Sequence, residues 1–149
     1  MLKQKLQEEL KQAMLAKDTV TTSVLRMLLS AINYYEIQKG GAGYEATDED
    51  VLSVIQKAAK QHRDSIEQFT KANRTDLVDK EKKELDLLQK YLPQQMNKEE
   101  VKNLVKDAIS KTGATSAKDM GMVMGALMPQ IKGKADGGMV SKIVKELLA

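Results

Sequence analysis

The sequence predicts an all-α chain: an N-terminal four-helix domain over residues 1–93, followed by a small three-helix tail domain over residues 94–149. Three observations carry that prediction. Apolar residues recur every three or four positions through most of the chain, the period of one helix face. Hydrophobic residues make up 42% but aromatics only 3%, and β-branched runs are few, so the core is aliphatic and sheets are disfavoured. Glycine and proline fall between the periodic stretches rather than inside them, with Pro129 and the glycines near it as exceptions.

The first helix carries the stripe Leu2, Leu6, Leu10 and Met14 and ends near Lys17. The second repeats the pattern with Val20, Val24, Leu28, Ile32 and Tyr35 and stops in Gly40, Gly41 and Gly43. Those glycines read as a loop, since no strand precedes them and no Gly-Lys-Ser/Thr follows to cradle a phosphate. Thr47 with Asp50 forms a capping box before the third helix, which carries Val51, Ile55, Ala58, His62, Ile66 and Phe69. Thr75 is the expected cap of the fourth, with Leu77, Leu85, Leu88 and Leu92 along one side. Tyr91-Leu92-Pro93 closes it, because a residue before proline is pushed out of α geometry, and the domain boundary is placed there.

In the tail, Asn97 with Glu100 caps a helix bearing Val101, Leu104, Val105, Ala108 and Ile109, stopped by Gly113. Ser116 with Asp119 opens the next, and Asp136 caps the last, whose Val140, Ile143, Val144 and Leu147 face inward. Within the middle tail helix Met120, Val123, Met124, Leu127 and Ile131 share a core stripe, with Met128 slightly further round at its edge, while Met122 points away. Gly121 and Gly125 lie on a further face. Each costs about 1 kcal/mol relative to alanine inside a helix, so something approaches the backbone there: a neighbouring helix, or an RNA backbone neutralised by Lys132 and Lys134. Pro129 removes one helical hydrogen bond, and a break near Met128 is expected, leaving Gln130 to Asp136 as a loop that either presents lysines or simply turns the chain.

Charge and composition narrow the function classes. From Pro93 onward nine lysines stand against six acids and carry the whole net charge of +3, which suits an anionic partner. With no cysteine, disulfides, thiolate metal sites and a cysteine nucleophile are excluded, and a reducing cytosol, hence a cytoplasmic location, is expected. Lys3, Lys5, Glu8 and Glu9 interrupt any signal-peptide core, and no stretch reaches the roughly 20 apolar residues of a membrane span, so no membrane partner is expected. His62 is the single histidine and sits on an apolar stripe as a packed or interface residue, and Asp48, Glu49 and Asp50 suit a helix N-terminus without any metal. No catalytic residue, metal or cofactor is expected.

Two stretches, DMGMVMGALMPQIKGKADG from Asp119 to Gly137 and RDSIEQFTKANRTDLVDKEKKELDLLQKYLPQQ from Arg63 to Gln95, resemble the GatB/YqeY family. These are small proteins akin to the C-terminal part of the B subunit of tRNA-dependent amidotransferases, which are carbon-nitrogen ligases with glutamine as amido donor. The resemblance implies an N-terminal helical domain with a small three-helix tail, of a kind that contacts tRNA. Together with the absence of catalytic machinery, the lysine surplus of the tail and its glycine face, this leads to the expectation of a non-catalytic tRNA-binding accessory module with contacts from Lys118, Gly121, Gly125, Lys132, Lys134 and Lys142. It leaves as the alternative a module docking on an amidotransferase or aminoacyl-tRNA synthetase through Met122, His62 or the face near Tyr34. Two departures bear on this. Met122 replaces a frequent lysine, and Lys134 replaces a frequent arginine, keeping the charge but not the bidentate fork.

Overall fold

A computed structural model describes all 149 residues and is entirely helical. It holds α1 (Leu2–Leu15), α2 (Thr19–Gly40), α3 (Asp48–Lys71), α4 (Thr75–Gln89), α5 (Lys98–Thr112), a 3-10 turn (Ala117–Asp119), α6 (Met120–Ile131) and α7 (Gly137–Leu148). The chain divides into two compact units, Met1–Leu92 and Pro93–Ala149.

In the first unit α1 to α4 enclose Leu6, Leu25, Ile32, Val51, Ile55 and Leu88. Burying each such side chain contributes roughly 1.5–3 kcal/mol. The turns follow from local chemistry. Lys17 takes a left-handed φ of 57° before Asp18 caps α2, accepting from the Thr21 N–H at 3.1 Å. Gly41 and Gly43 take φ of 70° and 109°, and the capping box at Thr47 and Asp50 is complete. Asn73, which tolerates the left-handed region better than most residues, has φ of 56° and folds α4 back along α3 as a helical hairpin.

Three details differ from the sequence reading. Met14 is 46% exposed, and Ala13 is the buried residue at the end of α1, because a stripe spaced strictly by four drifts around a 3.6-residue helix. Val20 is exposed in the first turn of α2, and Leu25 joins the core beside Val24. Arg74, not Thr75, occupies the cap position of α4, and no side chain caps it, since the tight turn from α3 sets where the helix begins.

In the second unit α5, α6 and α7 surround Val101, Val105, Val123, Leu127, Ile131, Val140 and Val144. Asn97 and Glu100 exchange their capping hydrogen bonds at 2.9 Å each, and Gly113 ends α5 in the left-handed conformation. The stretch after Pro93 is stitched to the α6–α7 connection, where the Met96 N–H donates to the Lys134 carbonyl and the Gln95 side chain to the Gly133 carbonyl. The expected break at Pro129 does not occur, and α6 runs through it to Ile131. Proline's fixed φ is helical, the Gly125 carbonyl that loses its partner belongs to an exposed residue, and burial of Ile131 holds the last turn in register. The connecting loop is therefore shorter than expected and begins at Lys132.

Candidate functional site

Helix α6 contains no charged residue. Its buried side is Val123, Leu127 and Ile131; at about 100° per residue, Gly121, Gly125 and Met128 lie roughly a quarter to a third of a turn or more from that side, with Met122 further round. Both glycines are exposed, and a Cβ added to either would meet nothing within 4 Å. No neighbouring helix explains them. Met122 and Met128 are 50% and 46% exposed. The outer face of α6 is thus bare backbone flanked by thioethers.

The lysines expected at this site are all exposed but differently placed. Lys118 lies in the 3-10 turn leading into α6, Lys132 caps the far end of that helix, and Lys142 stands on α7. Lys134 lines a groove of about 590 Å³ whose wall is formed by α5, including Glu100, Asn103, Leu104 and Asp107. Two acids therefore share its surroundings, which opposes a phosphate there. The starts of α6 and α7 also carry acids. Asp119 accepts from the Thr115 and Ser116 N–H groups, which hold its carboxyl below the ordinary range, and Asp136 accepts from the Gly138 N–H. An anion at either end would meet a carboxylate first.

The first unit contains polar clusters that sequence reasoning did not find. Asp50, read as a cap, also accepts from Lys39 Nζ at 2.6 Å, Tyr44 OH at 2.6 Å and Tyr35 OH at 2.8 Å. The Lys39 ammonium, then the Tyr44 hydroxyl and the Thr47 N–H, hold its carboxyl far below the ordinary carboxylate range. Lys39 is raised in turn, chiefly by Asp50, and lies over the rings of both tyrosines. Glu36, buried on α2, takes Lys3 Nζ at 2.7 and 2.8 Å and the Ala46 N–H at 2.8 Å, and Lys3 is the first cause of its lowered pKa. These carboxylates are saturated by structural partners and tie α1, α2 and α3 together. The spacing of Tyr35 and Lys39, one helical turn apart, was the only sequence signal for the hub.

His62 on α3 places Nδ1 2.5 Å from Glu81 Oε2 and 3.7 Å from Glu84 Oε2, both on α4. The three side chains are 17%, 19% and 12% exposed. Beside them is a cavity of about 130 Å³ lined by Val24, Leu28, Ala58, Gln61 and Leu88 among others. A signal was present in the sequence: His62 lies eleven residues before the turn residue Asn73 and Glu84 eleven after it, so an α-hairpin brings them level.

The sequence has relatives among known proteins. The family described as Yqey-like protein matches residues 3–148. A protein of Pyrenophora tritici-repentis named Altered inheritance of mitochondria protein 41, mitochondrial, is 37% identical over 97% of this chain and 79% of its own length. Proteins of the same name from Vanderwaltozyma polyspora and Lachancea thermotolerans are 34% and 41% identical, covering 77% and 60% of this chain and 64% and 46% of theirs. These names overturn the cytoplasmic expectation. A cysteine-free composition speaks only to redox chemistry, and it carries no address that distinguishes one reducing compartment from another.

Proposed function

Since the chain belongs to the YqeY-like protein family, we propose that it is a non-catalytic tRNA-binding accessory module associated with tRNA-dependent amidotransferase systems. The setting its relatives' names supply is mitochondrial. The reading includes a four-helix domain over residues 1–93 and a three-helix domain over residues 94–149 that fold as separate bodies, the second making the RNA contact. The observation that carries it is the open face of α6, where Gly121 and Gly125 expose backbone with nothing packed over them. Lys118 stands before that helix and Lys132 after it, and on this reading their ammonium groups neutralise phosphates. Lys134 contributes least, because Glu100 and Asp107 share its groove.

The test is fluorescence anisotropy of labelled total tRNA with the full chain across a salt series. Binding is expected at low salt. Each phosphate contact should steepen the logarithmic salt slope by roughly 0.9 if the duplex DNA coefficient transfers. Lys118→Ala and Lys132→Ala should each flatten the slope, and Lys134→Ala should change it less. No binding at low salt, or a Lys118→Ala/Lys132→Ala protein that binds like the parent, overturns the reading.

A second reading is favoured by one specific observation, the exposed Met122 and Met128 on a helix free of charge. Adaptable thioethers suit a protein surface, so this face would dock on an amidotransferase or aminoacyl-tRNA synthetase. Such a complex survives RNase treatment of a lysate, whereas an RNA-bridged one does not.

A further inference from the structure

We propose that His62, Glu81 and Glu84 form a binding site for a divalent transition metal of the zinc class, which clamps α3 to α4. The argument begins with the donor set. One imidazole nitrogen and two carboxylate oxygens from two helices converge so that all three ligand atoms lie within 4.8 Å of one another. Glu81 and Glu84 are three residues apart on α4, hence on one face, and His62 meets them across the hairpin.

The spacing fits an ion with little movement. Zinc binds nitrogen and carboxylate oxygen at about 2.1 Å, so two tetrahedral ligands stand about 3.4 Å apart. The separation of 3.7 Å between His62 and Glu84 is already near that value, and the 2.5 Å contact to Glu81 opens by a small rotation of a glutamate side chain. As the side chains stand, His62 Nδ1 and the Glu81 carboxylate share a short hydrogen bond. A metal takes the place of that hydrogen bond and engages the second carboxylate as well, any proton displaced from the ligand atoms passing to solvent.

Two further features distinguish this cluster from a surface ion pair. All three groups are largely covered, and the apolar walls formed by Leu28, Ala58 and Leu88 strengthen the attraction between a cation and two carboxylates. The adjoining cavity of about 130 Å³ reaches His62 and Glu84, with Gln61 also on its wall. It has room for a few waters, each occupying about 30 Å³, and so for a fourth ligand that completes the shell. Mixed nitrogen and oxygen donors favour zinc and similar ions over magnesium, which prefers oxygen and retains its water.

The experiment uses the full chain labelled with nitrogen-15 and follows the imidazole nitrogens of His62, unambiguous because it is the only histidine, during titration with zinc chloride. The expected result is a shift of the Nδ1 signal that saturates at one equivalent. The Glu81→Gln/Glu84→Gln protein should need at least tenfold more zinc, with its helical circular dichroism unchanged. At free zinc a hundredfold above Kd, the unfolding equilibrium constant should fall about a hundredfold. If the glutamine variant does not fold, parallel titration of the parent with magnesium decides, since only zinc should saturate the shift. An imidazole signal unmoved by tenfold zinc, equal movement with magnesium, or equal affinity in the folded variant shows a hydrogen-bonded cluster and no metal site.

Discussion

Replacing Gly125 with alanine separates the demands of folding from those of function on α6. The residue lies in the helix interior, its φ is not left-handed, and an added methyl meets nothing within 4 Å. Alanine there should stabilise the second unit by about 1 kcal/mol, through higher helix propensity and a less flexible unfolded chain. Gly121, in the first turn, should gain roughly half as much, since propensity is felt less at a helix end. Hydrogen exchange of α6 amides, read by mass spectrometry on the full chain, should slow about fivefold for each kcal/mol if these amides exchange by unfolding of the unit. Gly113→Ala is the opposing control: its φ of 69° costs an alanine about 1 kcal/mol, and exchange should quicken. On the tRNA-binding reading, Gly125→Ala gains stability and loses affinity, because the methyl holds an RNA backbone away from the helix. Faster exchange in Gly125→Ala would refute the structural reasoning by showing that the glycine serves packing. Stabilisation with unchanged tRNA affinity would remove this face from the contact surface.

The remaining predictions concern the two cores and the buried charges. Leu127→Ala, at a fully buried position, should lower stability by about 2–5 kcal/mol in urea denaturation, whereas Met122→Ala, half exposed, should stay within about 0.5 kcal/mol. Asp50 and Glu36 have lowered pKa values in the folded state, so the stabilisation they supply is complete above the ordinary carboxylate range near pH ~4 and is lost as pH falls through and below it. Asp50→Asn should flatten that acid limb in a plot of urea midpoint against pH. Tyr91, raised by burial and by its hydrogen bond to Glu9, and Lys39, raised chiefly by Asp50, act in the opposite sense. Their contribution is complete below about pH 10 and is lost as pH rises beyond it, which Tyr91→Phe should partly relieve.

Local chemistry was legible before any coordinates. The capping pairs Thr47 with Asp50, Asn97 with Glu100 and Ser116 with Asp119 form as read, because a cap is an interaction between residues three apart and needs nothing from the rest of the chain. The readings that failed depend on packing or on the exact helical phase. Local chemistry predicts a break at Pro129, yet burial of Ile131 carries the helix past it. Met14 was placed inside by spacing, and the rotation of α1 leaves it out. Composition suggested a compartment, and the relatives corrected it, since no folding force depends on address.

By itself, then, the order of residues determined an aliphatic all-helical chain, most of its helix starts, and the uncharged, glycine-bearing character of α6. Only the tertiary structure decided that Gly121 and Gly125 remain uncovered, that Lys134 shares a groove with acids, and that Glu36, Asp50 and the His62 cluster gather partners from distant segments. Propensity and capping act over one turn of chain, whereas exposure and charge proximity depend on which helix faces meet, and within each unit that is set by burial of its own core.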